Sequence, residues 1–124
     1  MQSGTAGADF ARALAAKDFG AVRGLLDPRV DFRGMTPSRS WEASGADAVI
    51  EVLRRWFDDS DEITSLDLLE TDDFADRERV GYRFSGTNPD GPFVVEQQAY
   101  LGVTDGRIAW MRVLCSGFRP APVG

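Results

Sequence analysis

The segment Phe93-Val-Val-Glu-Gln-Gln-Ala-Tyr-Leu-Gly-Val-Thr-Asp-Gly-Arg-Ile-Ala-Trp-Met-Arg-Val-Leu-Cys115 has the clearest structural pattern in the chain. Its two halves are rich in β-branched and aromatic residues, and Thr104-Asp105-Gly106 lies between them. A turn that ends in Asp-Gly is among the strongest short-range signals for a hairpin. The stretch therefore predicts one long β-hairpin.

The length of the loop decides which side chains of this hairpin share a face, because cross-strand neighbours point the same way. A two-residue loop, Asp105-Gly106, would mix polar and apolar residues on both faces. A three-residue loop with Gly106 as a bulge gives one coherent apolar face, so we favour it. The inward residues would then be Val95, Gln97, Ala99, Leu101, Val103, Ala109, Met111, Val113 and Cys115.

The other face of the hairpin is too apolar for a fully solvated sheet. It would carry Glu96, Gln98, Tyr100, Ile108, Trp110, Arg112 and Leu114. We expect a homodimer contact there, centred on Tyr100, Trp110, Arg112 and Leu114. On the preceding strand the same alternation turns Val80, Tyr82 and Phe84 inward and Arg79, Arg83 and Ser85 outward. Tyr82 and Gln97 are thus the two polar groups expected to face the interior.

The first half of the chain is helical in pattern. Phe10, Ala13 and Leu14 recur at helical spacing, and Asp18 is a candidate N-cap for a second helix that Pro28 ends. The strongest amphipathic pattern follows Gly45, with apolar residues at Val49, Val52, Leu53, Trp56 and Phe57. We predict an α+β domain over residues 8–118, with residues 1–7 a flexible tail and 119–124 a C-terminal tail.

Composition narrows the function classes. The 14 Lys and Arg against 20 Asp and Glu give a net charge of −6, and the bases are scattered, which argues against nucleic acid as a partner. With no histidine and only Cys115, neither a disulfide nor a thiolate metal cluster is expected. The acidic runs at 58–62 and 72–76 lack calcium-loop spacing and are interpreted as solvated loops. We expect no metal and no cofactor.

Location follows from what the sequence does not contain. No run approaches ~18 consecutive apolar residues, and the N-terminus has no basic segment followed by an apolar one. We therefore expect no membrane span and no secretion, and the single cysteine fits a cytoplasmic protein.

The order of the elements resembles the SnoaL-like branch of the nuclear-transport-factor-2-like superfamily. The resemblance is carried by Phe10 to Leu26, by Gly45 to Phe57 and by Leu101-Gly-Val-Thr-Asp-Gly-Arg-Ile-Ala-Trp-Met-Arg112. It implies a cystatin-like cone, with three N-terminal helices packed in a curved, mostly antiparallel sheet, and dimers formed through the open sheet face. Because this scaffold hosts isomerases, cyclases, epoxide hydrolases, binding proteins and non-catalytic subunits, the resemblance specifies a fold rather than an activity.

The residues that such enzymes use are not repeated here. By resemblance, Phe10, Phe32 and Ala99 occupy the three catalytic positions of the ketosteroid isomerase branch, and none of them transfers a proton. The inward faces carry no acid or histidine of the kind that SnoaL-type cyclases need. Asp31, Arg33, Arg83 and Glu96 suit a limonene-type epoxide hydrolase chemically, but strand alternation turns them outward.

Three hypotheses remain open from the sequence. The first is that a small hydrophobic molecule binds in an apolar cone pocket, oriented by Tyr82 and Gln97. The second is a polyketide cyclase or isomerase that acts through Tyr82, and the third is a non-catalytic dimeric interaction or scaffold subunit with a filled core. Gln97 would either contact the ligand or bond to Tyr82 or the backbone. The residues expected near the pocket are Phe10, Phe32, Trp41, Trp56, Tyr82, Gln97 and Met111.

Overall fold

A computed structural model describes residues 5–122 of the chain. Its helices are α1 (Thr5–Ala15), α2 (Phe19–Leu25) and α3 (Ala46–Trp56). Its strands are β1 (Leu26–Thr36), β2 (Arg39–Ser44), β3 (Glu62–Phe74), β4 (Arg77–Asn88), β5 (Gly91–Thr104), β6 (Arg107–Cys115) and β7 (Arg119–Pro120).

One curved sheet holds all the strands, in the order β2-β1-β6-β5-β4-β3, with β7 paired to the start of β5. Only β1 and β6 run parallel within the described chain, so the predicted α+β class with a mostly antiparallel sheet is confirmed. The helices all lie in the first 56 residues, but α3 follows the β1–β2 hairpin and is not part of one N-terminal group.

The β5–β6 hairpin corrects the predicted loop. Thr104 pairs with Arg107, so the loop is the two-residue Asp105-Gly106, and both residues have positive φ, 53° and 79°. A register shift follows at Ala109, which has no partner on β5. Beyond this bulge Leu101 pairs with Met111, so these two residues share the inward face as predicted.

The bulge changes the faces only at the tip of the hairpin. Gln97, Ala99, Leu101, Met111 and Val113 are buried as predicted. Val103, predicted inward, is 41% exposed, and Ile108, predicted on the outer face, is fully buried. The Ile108 prediction fails because the bulge at Ala109 reverses the alternation of the β6 residues before it. Val103 pairs with Ile108 and so points to the same side of the sheet, but it lies next to the hairpin loop, where it is partly exposed.

Helices and strands of the structure extend beyond residues 8 and 118. Helix α1 begins at Thr5, and the backbone N–H of Gly7 donates to Glu78 on β4 across 2.6 Å. At the other end, Arg119 and Pro120 pair with Val94 and Phe93. Residues 1–4 of the predicted N-terminal tail, and residues 123–124, lie outside the described residues.

The helices close the concave side of the sheet with their apolar stripes. Asp18 caps α2 as predicted, accepting from the N–H of Ala21 at 3.0 Å. Helix α3 buries Val49, Leu53 and Trp56 while Arg54 and Arg55 stay exposed. None of the described helices has the length and apolarity needed to cross a membrane.

Candidate functional site

A single polar pair lies in the core between sheet and helices. Tyr82 on β4 and Gln97 on β5 are cross-strand partners, and both point inward. The Tyr82 hydroxyl donates to Oε1 of Gln97 across 2.5 Å. Gln97 is 2% exposed and Tyr82 is not exposed at all. Of the two roles weighed for Gln97, the structure gives it the bond to Tyr82.

Burial keeps the Tyr82 phenol neutral. Desolvation raises its pKa well above the usual value, because the charged form would lie in an apolar core, and the nearby Cys115 thiol adds to the shift. The hydroxyl is therefore a hydrogen-bond donor rather than a base, and it already donates its hydrogen bond to Gln97.

Two buried side-chain N–H groups of the core have no partner among the described residues. They are Nε2 of Gln97 and Nε1 of Trp56. An unpaired buried donor costs about 1–3 kcal/mol, and native proteins pair nearly all of them. The core therefore holds two donors that an acceptor from outside the chain would satisfy.

The predicted pocket residues fall into two neighbouring groups. In the first, the Phe10 and Tyr82 rings lie 6.2 Å apart, next to Gln97. In the second, Trp56 lies 5.8 Å from Phe32 and 6.0 Å from Trp41, and Met111 pairs with Phe32 along the sheet. Six of the seven are buried, and Trp41 is half-buried with its Nε1 donating to Thr36 Oγ1 at 3.0 Å.

The interior of the cone is filled by these side chains. Of the predicted pocket residues, Trp41 alone lines any of the five best-defined cavities among the described residues. Gly34 shows how tight the packing is, since a Cβ there would lie 2.6 Å from Cη2 of Trp56. A ligand can reach Tyr82 and Gln97 only if the core opens.

No carboxylate, lysine or arginine enters this core in the described part of the chain. Phe10, Phe32 and Ala99 are at most 1% exposed. Asp31, Arg33, Arg83 and Glu96 are exposed, as predicted. Arg83 pairs with Glu96 at 2.8 Å on the outer face and not across the interior. Among the described residues, the titratable groups in this core are the Tyr82 phenol and the Cys115 thiol.

A file of aromatic rings connects the polar pair to the surface. Tyr82 stacks on Phe84 at 5.1 Å, Phe84 meets Phe57 at 5.8 Å, and Phe57 meets the half-buried Phe118 at 5.6 Å. Sequence reasoning missed Phe118 because it follows the last predicted strand. Its one signal was Gly117 immediately before it, which has a φ of 82° and turns the chain.

The outer face of the sheet carries a groove of about 510 Å³. Its lining includes Met35, Trp41, Tyr100 and Leu114, and Met35 and Leu114 are 56% and 60% exposed. Trp110, predicted for the same face, lies between the guanidinium groups of Arg77 and Arg112, at 4.1 and 4.3 Å. Met35 and Trp41 were not among the residues predicted for this surface.

Ion pairs surround the groove. Arg33 pairs with Glu42 at 3.4 Å and Arg112 with Asp31 at 3.3 Å. On the far side of Tyr100, Arg79 pairs with Asp72 at 2.8 Å. Each positive charge has a negative neighbour, so the face is locally near neutral although the chain carries −6.

Similar solved structures share this architecture. One is a hypothetical protein with a ketosteroid isomerase-like fold from Catenulispora acidiphila, solved in complex with trimethylamine. The match covers 93% of this chain and 88% of that chain, with a TM-score of 0.73 and 13% sequence identity. The chain has the nuclear-transport-factor-2-like fold. No protein-family model matches the sequence, and comparison with curated proteins gave no match.

Two further neighbours carry this fold with other names. One, from Xanthomonas campestris, is provisionally named a polyketide cyclase. It is 19% identical in sequence, with a TM-score of 0.65, and the match covers 88% of this chain and 86% of that chain. The other is an LEH-like epoxide hydrolase from M. tuberculosis. It is 17% identical in sequence, with a TM-score of 0.64, and the match covers 90% of this chain and 80% of that chain. Likeness at these identities concerns the fold, and the activity has to be argued from this chain's own residues.

Proposed function

We propose that this protein binds a small, neutral, hydrophobic molecule in the core of the cone, and that an acceptor oxygen of the molecule bonds to Gln97 Nε2. The observation that carries the proposal is the unpaired Nε2, 2% exposed and fixed in orientation by the bond from Tyr82. The unpaired Nε1 of Trp56 supplies a second donor in the same core.

The chemistry of the core limits the ligand. The buried residues described here carry no charge, so a charged ligand would lose its hydration without a counter-charge. A ketone, ester or ether oxygen accepts a hydrogen bond without bringing a charge. The remainder of the molecule would contact Phe10, Phe32 and Met111, where burial of apolar surface supplies the affinity.

Because the core is filled, the ligand can bind only when core side chains move. Ligand and core side chains cannot occupy the same volume, so binding requires the aromatic rings to move. The energy for that movement comes from pairing the two orphan donors and from burying the ligand's own apolar surface. We expect modest affinity and slow association, because part of the interaction energy is spent on opening the core.

A cyclase or isomerase that acts through Tyr82 is the weaker alternative. The hydroxyl has a strongly raised pKa and already donates to Gln97. It can orient a carbonyl but is a poor proton donor in the sense that catalysis needs, since an efficient acid has a pKa near the working pH.

Prodan, a neutral naphthalene fluorophore with one ketone oxygen and no hydrogen-bond donor, tests the proposal. We expect its emission to rise and shift to the blue with wild-type protein. Gln97→Met should weaken binding by about fivefold to tenfold, the value of one hydrogen bond. Gln98→Met is the matched control, because Gln98 is the exposed neighbour on the opposite face. Equal affinities for the two variants would overturn the proposal, as would the absence of any emission change with wild type.

A homodimer is a second proposal, and the outer groove favours it. The groove combines exposed apolar side chains with a rim of ion pairs, which is the anatomy of protein interfaces. Because the rim is neutral, two copies of this acidic chain would meet there without the repulsion that their net charges predict. A second copy therefore suits this face better than a strongly charged partner does.

Sedimentation velocity tests this assembly. We expect wild type to sediment at twice the 13.6 kDa chain mass. Leu114→Glu should give a monomer, because it places a charge in the apolar centre of the face. Val103→Glu adds the same charge at an exposed position near the hairpin tip and should leave the dimer intact. A monomeric wild type would refute the proposal.

A further inference from the structure

The last described segment of the chain closes one end of the core. Strand β6 ends at Cys115, where it pairs with Gln97, and the chain then leaves the ladder at Ser116 and Gly117. It rejoins β5 at Arg119 and Pro120. Residues 116–121 are called the strap below.

The strap places one aromatic ring over the interior. Phe118 lies 4.7 Å from Phe93 and 5.6 Å from Phe57, and both of those residues are at most 3% exposed. Phe57 leads through Phe84 to Tyr82, so the ring of Phe118 is the outer end of the aromatic file. Removing the strap would uncover the file that ends at the polar pair.

The backbone holds the strap less firmly than it holds the sheet. Strand β7 has two residues, and one of them, Pro120, has no N–H to donate. Beyond them, the N–H of Ala121 donates to Pro92 at 3.1 Å, and Ser116 is tied to Glu96 by its N–H and its hydroxyl. Gly117, with φ of 82°, lies between these two points of attachment.

We propose that the strap is a gate: it swings at Gly117, lifts Phe118 from the Phe57 and Phe93 rings, and gives a ligand its path to Tyr82 and Gln97. The inference rests on the proposed binding function, and it adds the path by which the ligand enters the core and the segment that opens this path. A short edge segment with few backbone bonds opens at a lower free-energy cost than the sheet it covers. Such opening reconciles a filled, closed core with a ligand site inside it.

Cys115 reports on the gate without any ligand. It is the chain's one cysteine, it is buried, and its Sγ accepts from the N–H of Gly117 at 3.4 Å. When the strap lifts, this thiol loses its cover. The rate of Cys115 alkylation by N-ethylmaleimide therefore measures opening of the strap, and the rate of prodan association measures entry of a ligand into the core.

A disulfide that locks the strap gives the test. Val94 and Arg119 are cross-strand partners, close enough for a disulfide after Val94→Cys and Arg119→Cys. The matched control carries serine at both positions. We expect two rates to be about tenfold lower in the oxidised cysteine variant than in the serine control: alkylation of Cys115 and association of prodan. The equilibrium affinity for prodan should be similar in the two proteins. Urea unfolding of both proteins separates a slower local opening from a more stable fold.

The outcomes separate the gate from the binding site. Equal rates of alkylation and prodan association in the locked and serine proteins, with prodan still bound, would overturn the gate and leave the binding proposal standing. If prodan binds neither protein, the binding proposal fails, and the gate fails with it as a route for ligands, even if the lock slows alkylation. Slowing of both reactions by the lock is the result that supports the gate.

Discussion

The Tyr82 hydroxyl donates a hydrogen bond to Gln97 Oε1, and this bond joins two inward side chains on neighbouring strands of the core. The bond fixes the amide so that Nε2 points away from its partner and stays unpaired. The pair is thus half satisfied: the hydroxyl has its acceptor, but the amide donor has none. A half-satisfied buried polar pair is costly, and its energetics are open to measurement.

A double-mutant cycle tests the pair. Tyr82→Phe leaves the whole Gln97 amide unpaired, and Gln97→Met leaves the Tyr82 hydroxyl unpaired, so each should cost about 1–3 kcal/mol of unfolding free energy. The double variant removes both polar groups and should be as stable as wild type or more so. Urea unfolding of the four proteins gives the coupling energy. Additive losses would mean that the two side chains do not interact.

Alkaline pH should destabilise the fold through Tyr82. Its pKa is raised in the folded state, so its contribution to stability is complete below the unfolded value of about 10 and is lost as pH rises from there toward the folded pKa. Tyr82→Phe should therefore lose less stability than wild type between about pH 9 and about pH 11. Tyr100→Phe is the control, because Tyr100 is the chain's other tyrosine and lies on the outer face. A wild-type slope that Tyr82→Phe does not reduce would contradict the buried phenol.

The contact between Gly34 and Trp56 predicts a cost for one added methyl group. A Cβ at Gly34 would lie 2.6 and 2.9 Å from two indole carbons, so Gly34→Ala should cost about 1–3 kcal/mol through overpacking. In a Trp56→Phe background the shorter ring leaves room, and the same change should cost less. Chemical unfolding of the four proteins measures the difference. An equal cost in both backgrounds would show that the indole does not press on this strand.

The corrected hairpin loop predicts opposite effects for two glycines. Gly106 has a φ of 79° in the turn, so Gly106→Ala should cost about 1–2 kcal/mol. Gly24 is exposed in helix α2 with open space around it, and Gly24→Ala should stabilise by up to about 1 kcal/mol. Thermal unfolding of the two variants shows the sign of each effect. A neutral Gly106→Ala would argue against the two-residue turn.

Sequence alone predicted much of the fold because alternation and helical spacing are local signals. The burial of Val80, Tyr82, Phe84, Gln97 and Ala99 followed from strand parity, and α3 followed from its apolar stripe. The bulge at Ala109 was missed because an extra residue on one strand leaves no mark in a pattern of period two. The loop was therefore assigned one residue too many, although the faces beyond the bulge were assigned correctly.

The site was predicted less completely than the fold. Parity placed Tyr82 and Gln97 on inward faces but could not say whether space remained between the rings, because packing depends on contacts among distant residues. Phe118 joined the core by a turn at Gly117 that carries no periodic signal. The role of the seven predicted pocket residues in binding a ligand stays a prediction.

The ligand site in the core can be tested by titrating prodan into ¹⁵N-labelled protein and following the side-chain N–H signals. We expect the Nε2 protons of Gln97 and the Nε1 proton of Trp56 to shift downfield as they gain an acceptor, while the side-chain N–H signals of Gln98 and Trp110 on the outer face stay unchanged. Shifts confined to Gln98 and Trp41 would place the fluorophore in the outer groove and would contradict a ligand site in the core.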